Sequence, residues 1–427
     1  FISDLKSNAP PLSTIESVEC HHNLVPADYS DFVILESANE GEQFVPISAD
    51  VGTCDDCLKE LFDPQDRRYQ YPFINCTNCG PRFTIIEDIP YDRAQTTMRD
   101  FEMCSECRTE YEDPMNRRFH AEPTACPTCG PQVSLAGFRS APPAVAGGLS
   151  TRNPPAITTP AGLTGWGPRS AGSTDNAISS ARRLLLDGAI LAIKGIGGFH
   201  LACDGLSPEA VKRLRESKYR EDKPFALMAD SLEIIREHCF VSKAERDLLL
   251  SERRPIVLLE RRPGSKIPQA VAPGVNTLGF MLPYTPLHHL LLKNLDRPLV
   301  MTSGNVSNEP ICYDDGEATK RLRKIADYFL LHDRRIHMRT DDSVVRVREG
   351  REMVVRRSRG YAPAPIKTAF KFERQVLACG AELKSTFCLT RDQYAFVSHH
   401  IGDLENLETL RSFAEGIAHF KRLFRSG

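Results

Sequence analysis

From about residue 174 onward, short apolar runs alternate with amphipathic stretches. A cap at Ser173 or Asp175 predicts a helix through Leu186, ended by Gly188. Ser207 predicts a second helix, reaching about Tyr219. Further helices are expected near 231–238, 242–251, 286–293 and 315–326. Between them, apolar runs at 189–194, 225–228, 255–259, 277–282 and 298–302 predict buried strands. Shorter strands are expected near 328–331, 344–348 and 353–357. Strands and helices alternate irregularly, which predicts an α/β fold with a mixed sheet flanked by helices. A third unit starts near Gln375, with strands at 376–379, 386–389 and 395–397 and an amphipathic helix over 411–424.

Two stretches lack this patterning. Residues 1–20 contain Pro and Ser and predict a tail or linker. Residues 138–174 are dominated by Pro, Ala, Gly, Ser and Thr, with charges only at Arg139, Arg152 and Arg169. That composition predicts a flexible linker or insertion, with the single Trp166 inside it. Between 21 and 53, runs such as Phe32–Leu35 are strand-like.

Composition narrows the class. The 427 residues suffice for two to four domains, and 41% hydrophobic with 26% charged residues is a globular balance. A formal net charge of −2 argues against gripping nucleic acid by bulk charge. No apolar run approaches the ~18 residues of a membrane span.

Cysteines change the picture most. Cys54/Cys57 with Cys76/Cys79, and Cys104/Cys107 with Cys126/Cys129, form two C-x-x-C…C-x-x-C copies. In each copy 18 residues separate the pairs, and the copies are offset by 50 residues. Asp63-Pro64…Arg67-Arg68-Tyr69 recurs as Asp113-Pro114…Arg117-Arg118-Phe119, and both copies end in Cys-Gly-Pro. The spacing is that of tetrahedral Zn²⁺ sites. Eight thiolates predict two structural zincs in a module at 21–137, which needs metal to fold because its own core is small. Each copy could close its own site, or the outer pairs could share one metal. Zinc thiolates and the scattered Cys20, Cys203, Cys239, Cys312, Cys379 and Cys388 fit a reducing cytoplasm.

Four further clusters suit anions. Lys194-Gly195-Ile196-Gly197-Gly198-Phe199-His200 is a strand running into a glycine-rich turn, which exposes N–H groups or simply exits tightly. Lys218, Arg220 and Lys223 end a helix before Pro224, where they could hold phosphates or face solvent. Ser303-Gly304-Asn305 stands at a strand end, where open sheets bind ligands, or forms a plain turn, which these residue types favour. Asp341-Asp342-Ser343, flanked by Arg339 and Arg346, could coordinate Mg²⁺ or form a surface ion-pair network. The basic run Arg356-Arg357-Ser358-Arg359 reads as solvent-facing. Together these clusters predict a nucleotide or polyphosphate pocket.

The residues between the cysteines, Tyr71–Phe83, with Tyr91-Asp92-Arg93 and Arg118-Phe119-His120-Ala121, resemble the HypF-type hydrogenase-maturation carbamoyltransferases. Runs 194–204, 217–227, 279–292 and 301–311 resemble their YrdC-like domain. Leu377–Lys384 and Ser398–Glu405 resemble the start of their TsaD-like, actin-fold domain. The resemblance implies a YrdC-like nucleotide-binding domain at 175–368 and the TsaD-like start at 369–427. It implies ATP and carbamoyl phosphate as substrates, a carbamoyl-adenylate, and transfer to the C-terminal cysteine of a HypE-like partner for cyanide-ligand synthesis. Lys218, Arg220, Ser303 and Asn305 would form the ATP set, with Lys223, Asp342, Ser343 and Arg346 as neighbours and Mg²⁺ as companion. Residues acting directly in catalysis are not assigned.

Such proteins begin with an acylphosphatase-like domain, of which residues 1–20 would be the end, and their histidine-rich metal motif would lie beyond 427. The expectation is a fragment truncated at both ends. His399-His400 precede that motif and are not assigned as ligands. The alternative reading is a zinc-dependent protein- or double-stranded-RNA-binding module without catalysis, and a scaffold that docks a partner is a third. Neutral charge and the lack of aromatic stacking motifs weigh against RNA.

Overall fold

The computed structural model describes residues 47–137, 174–306 and 309–425, with a few positions before residue 20. The strand-like run at Phe32–Leu35 and the stretch 138–173 with Trp166 lie outside the described residues. The chain divides into two compact units, 1–45 and 46–427. Helix α1 (Ile2–Ser7) belongs to the first, where Ser7 Oγ donates to Ser3 O at 2.9 Å.

In the second unit each cysteine copy opens on a short helix, α2 (Asp55–Phe62) and α3 (Ser105–Glu112), whose N-caps are Cys54 and Cys104. Asp55, Asp56 and Glu106 sit in the first turns, where the helix dipole favours acids.

Ten strands of the described residues form one mixed sheet. They are β1 (Val133–Gly137), β2 (Leu191–Lys194), β3 (Phe199–Asp204), β4 (Ala226–Met228), β5 (Ile256–Glu260), β6 (Thr277–Met281), β7 (Leu299–Ser303), β8 (Tyr328–His332), β9 (Val344–Arg348) and β10 (Arg351–Arg356). Their order is β1-β8-β2-β3-β7-β4-β6-β5-β9-β10. The pairs β8/β2, β4/β6 and β5/β9 are parallel and the others antiparallel.

Period-two alternation splits the strands between two cores. Ile190, Ala192, Phe199, Leu201, Val300 and Phe280 face one side, with α5 (Pro208–Ser217), α6 (Leu232–His238), α7 (Lys243–Leu250) and α9 (Asp315–Leu322) over them. Leu191, Ile193, Ala202, Leu299 and Met301 face the other, under α4 (Thr174–Leu186), α8 (Pro286–Leu292) and the cysteine module. Leu61, Tyr71, Phe73 and the buried cysteines are continuous with that second core.

Two strands of this sheet have no counterpart among the apolar runs of the sequence. β3 is buried on both faces, but His200 and Asp204 break the apolar run by which such a strand is read. It pairs with β2 as a hairpin across Gly195–Gly198, closed by Gly195 N donating to Gly198 O at 2.8 Å. β1 follows the last cysteine and pairs with β8, so the end of the cysteine segment is an edge strand of the large sheet.

The C-terminal part is a second, antiparallel sheet of β11 (Ile366–Lys367), β12 (Leu377–Cys379), β13 (Phe387–Arg391) and β14 (Tyr394–Val397), in the order β11-β14-β13-β12. Helix α10 (Leu407–Leu423) covers it. Phe396 stacks on Phe424 at 4.0 Å, and Phe420 meets Phe387 edge-on at 4.9 Å. α10 starts earlier than its amphipathic stripe because Asn406 Oδ1 caps Thr409 N at 2.8 Å. No helix among the described residues is long and apolar enough to cross a membrane.

Candidate functional site

Four sulfurs about 2.3 Å from one Zn²⁺ at tetrahedral angles stand about 3.8 Å apart. In the first copy Cys54–Cys76, Cys76–Cys79 and Cys57–Cys79 are 3.6, 3.9 and 3.5 Å apart. In the second, Cys104–Cys126, Cys126–Cys129 and Cys107–Cys129 are 3.7, 3.8 and 3.7 Å apart. Each copy therefore closes its own four-sulfur cage, and sharing of a metal between the outer pairs is ruled out. These cages fit zinc with no open coordination position, so the zincs are structural.

The other clusters meet at one end of the large sheet. β3 and β7 run antiparallel, so the start of one lies beside the end of the other, with His200 opposite Ser303. At this junction Gly304 N donates to Phe199 O at 2.6 Å. A Cβ on Gly304 would lie 2.6 Å from Phe199 Cβ, so only glycine allows this crossing. Gly197 likewise packs on residue 340, where an added Cβ would fall 2.7 Å from Thr340 O. The glycine-rich turn is thus explained by close chain packing, and it brings 340–343 against the β3–β7 junction.

Lys218 caps the C-terminus of α5 and is 0% exposed. Its Nζ donates to Ser303 O at 2.5 Å, Asn305 O at 2.7 Å and Asn305 Oδ1 at 2.5 Å. Ser303 Oγ donates to Asn305 Oδ1 at 2.8 Å, and Asn305 Nδ2 to Glu309 O at 2.5 Å. Burial pushes the Lys218 ammonium well below its ordinary range, the Arg220 charge adds to this, and Asp341 opposes it. A cation buried under these conditions is stabilised by an incoming anion.

Arg220 donates to Lys223 O at 2.9 Å and Pro224 O at 2.8 Å. Burial, with the charges of Arg215 and Arg356, brings it down to about 10. Arg215 ties the same loop down through Arg220 O and Glu221 O at 2.8 and 2.9 Å. Arg356 reaches the site from the end of β10, donating to Asp342 O at 2.9 Å. Arg215 carries no signal in the sequence, and Arg356 belongs to a basic run expected to face solvent. Only the fold brings them beside Arg220.

The acidic pair is not a surface network. Asp342 is 8% exposed, with Oδ2 3.0 Å from His200 Nε2 and Oδ1 accepting from Arg359 Nε at 2.8 Å. Arg359 is 2% exposed, bonds Arg253 O and Arg254 O, and lies 3.4 Å over the Tyr284 ring. The reading of 356–359 as a solvent-facing basic run is therefore corrected: Arg359 is the buried partner of Asp342. Ser343 Oγ is equally internal, donating to Arg359 O and accepting from Ser358 N at 2.9 and 2.7 Å. Asp341 Oδ2 is 2.9 Å from His400 Nδ1, which links the C-terminal sheet to this end. His399 is buried.

Lys223 is exposed. Arg346 is exposed on β9, opposite Met353. The structure thus brings Lys218, Arg220, Ser303 and Asn305 together, sets Asp342 and Ser343 behind them as internal supports, and leaves Arg346 outside.

Family comparisons agree with this layout. The model described as HypF finger matches residues 53–86 and 103–136. The Sua5/YciO/YrdC model, described as telomere recombination, matches 183–358, and the HypF Kae1-like domain model matches 371–426. Carbamoyltransferase HypF of Synechocystis sp. is 46% identical over 424 residues, covering 99% of this chain and 51% of that protein.

The chain belongs to the HypF family.

A full-length HypF crystal structure in a phosphate- and nucleotide-bound form superposes with a TM-score of 0.88 at 48% identity, covering 100% of this chain and 52% of that one. HypF from T. kodakarensis gives 0.84 at 42% identity, over 99% and 50% of the two chains. The chain thus spans about half the length of these HypF proteins.

Lys194 marks a second feature of the HypF-like fold. Its Nζ lies 2.7 Å from Asp315 Oδ1 and donates to His332 O at 2.9 Å. It stands in a cleft of about 480 Å³ that Asp314, Arg335, His337, Arg339, His419 and Arg422 also line.

The Asp342 pair sets a pH response. Burial pushes this carboxyl up, but the Arg359 charge and the His200 contact outweigh burial and hold it below the usual carboxylate range. Its contribution to stability is full above the unfolded value of about 3.9 and is lost as pH falls from there through the depressed value. Asp342→Asn is expected to cost about 3–5 kcal/mol at neutral pH by stranding Arg359. The gap from the parent chain should narrow below about pH 4. Melting curves of both chains between neutral and acid pH test this, and a constant gap would refute it. Taking the difference cancels the acid release of zinc common to both.

Proposed function

We propose that this chain carries the nucleotide-dependent, carbamoyl-activating part of a hydrogenase-maturation carbamoyltransferase. The observation that carries the reading is the buried Lys218 ammonium, fixed between Ser303 and Asn305 with Arg220 beside it. Its support from relatives is their name, carbamoyltransferase, and the phosphate- and nucleotide-bound state of one of them.

In this proposal ATP and carbamoyl phosphate are the substrates, and carbamate derived from the latter attacks the α-phosphorus of ATP. The new O–P bond forms as the bond to the β-phosphate oxygen breaks, giving carbamoyl-adenylate and pyrophosphate. Lys218 and Arg220 would stabilise the negative charge that grows on the phosphates, and being already fixed and desolvated they would do so without reorganisation. Ser303 and Asn305 orient Lys218 rather than react. Mg²⁺ enters on the ATP phosphates, with Asp342 held behind the site by His200 and Arg359. The carbamoyl carbon then passes to the C-terminal cysteine thiolate of a HypE-like acceptor, with AMP leaving. A reducing cytoplasm keeps that thiolate and the zinc thiolates available.

The direct test is carbamate-dependent exchange of labelled pyrophosphate into ATP by this chain. A folded, zinc-loaded chain that binds no ATP would end the proposal. A second outcome follows from Lys218. An anion that pairs with it raises its depressed pKa, so binding takes up protons and weakens as pH rises through the free value. Calorimetry at about pH 8, where phosphates are already ionised, in buffers of different ionisation heat reads that uptake. Proton release on binding would remove Lys218 from the contact.

A further inference from the structure

The Asp-Pro…Arg-Arg segments shared by the two cysteine copies take no part in the nucleotide site. We propose that each copy supplies the arginines that clamp the other copy's zinc thiolates, so that the two zinc sites bind and release metal as a coupled pair.

The contacts are reciprocal. From the first copy, Arg67 Nη2 lies 3.3 Å and Arg68 Nη2 3.5 Å from Cys107 Sγ of the second. From the second copy, Arg117 Nη2 lies 3.2 Å from Cys57 Sγ and Nη1 4.0 Å from Cys54 Sγ. Among the described residues none of these arginines bonds a sulfur of its own copy. The carboxylates cross over as well. Glu110 on α3 receives Arg67 at 2.6 Å and Arg68 at 2.5 Å, while Glu60 on α2 receives Arg117 at 2.6 Å and also Arg118. Arg68 Nε donates to Ala125 O at 2.9 Å, beside the ligand Cys126. Thr77, between the ligands Cys76 and Cys79, donates its N–H and hydroxyl to Arg117 O at 3.2 and 3.1 Å.

A zinc held by four thiolates carries about two surplus negative charges, and N–H donors to sulfur stabilise that charge. Each helix that brings the first ligand pair of one site also brings the carboxylate that fixes the other copy's arginines. Arg68 is 1% exposed and Arg118 is buried, while the side chains of Arg67 and Arg117 keep 32% and 25% of their surface, so the exchange is partly shielded from water, which strengthens its charged contacts. Metal at the first site orders Arg117 and Arg118, which belong to the segment joining the second site's ligand pairs. By linkage the second site has the same effect on the first.

The whole 427-residue chain, loaded with ¹¹³Cd, gives one resonance per four-sulfur site, assigned with Cys104→Ser/Cys107→Ser. Arg117→Met should shift the Cys54/Cys57/Cys76/Cys79 resonance and speed metal loss from that site by about 10–100-fold, while Arg67→Met does the same at the other site. Emptying the second site with Cys104→Ser/Cys107→Ser should weaken zinc at the first by about tenfold or more in chelator competition. Effects confined to a variant's own copy, or a first site indifferent to the emptied second, would overturn the proposal. If Arg117→Met holds neither metal, Arg117→Lys, which keeps the charge facing Glu60 but loses the fork, makes the same comparison.

Discussion

Stripping both zincs with a chelator is expected to unfold more than the cysteine module. A structural zinc supplies roughly 10–16 kcal/mol of apparent binding free energy, as large as the whole stability of a typical domain at roughly 5–15 kcal/mol. The buried cysteines, Leu61, Tyr71 and Phe73 share one core with α4, α8 and the inner face of β2 and β7. β1, which leaves the last cysteine pair, is also the edge partner of β8. Loss of the cages therefore exposes one face of the ten-stranded sheet. Hydrogen exchange on the chelated chain should show protection lost across 47–137 and lowered in α4, α8, β2 and β8. Helices α5 and α9, on the opposite core, should be affected least. Protection lost in 47–137 alone would show that the module is independent of the sheet. Thermal scans in chelator should fall by well over ten degrees, since 1 kcal/mol shifts a 150–250-residue domain by about 2–4 °C.

Replacing Lys218 should weaken ATP binding strongly while leaving a folded chain. A charged hydrogen bond is worth about 1.5–3 kcal/mol, so Lys218→Met should raise the Kd for ATP by roughly 10–150-fold. The stability effect is smaller because two terms oppose. The variant strands the Ser303 and Asn305 oxygens, at about 1–3 kcal/mol, yet also removes a cation that burial destabilises. Methionine keeps the packing of the stem. A loss of melting temperature alone does not mark a purely structural lysine, because a binding lysine held this way also supports its loop. Titration with ATP decides instead: a folded variant with unaltered affinity would sink the site. Arg220→Ala is the companion variant, since its partners are the carbonyls of its own loop.

Local features were legible without coordinates. The helices of the α/β part, most of its strands and the cysteine pairs are written in spacing, caps and apolar runs a few residues long. Expected and observed bounds differ by a residue or two for α4, β6 and α8. The helix expected over 315–326 stops at Leu322. β3 carries no continuous apolar run, because His200 and Asp204 interrupt it although both are buried. The glycine-rich turn was ambiguous because the same composition serves an anion or a close chain crossing, and Gly197 against Thr340 is a crossing.

By itself, then, the sequence determined the zinc ligands, the order of elements and the family, because each rests on residues near one another along the chain. Which charges are internal, and what they face, depends on the packed fold. Lys218 meets Asn305 across 87 residues, and His200 meets Asp342 across 142. Arg117 reaches Cys57 across 60 residues, into the other copy. No local pattern encodes such pairings. They follow from strand order and shared cores, which burial of apolar surface over the whole unit selects.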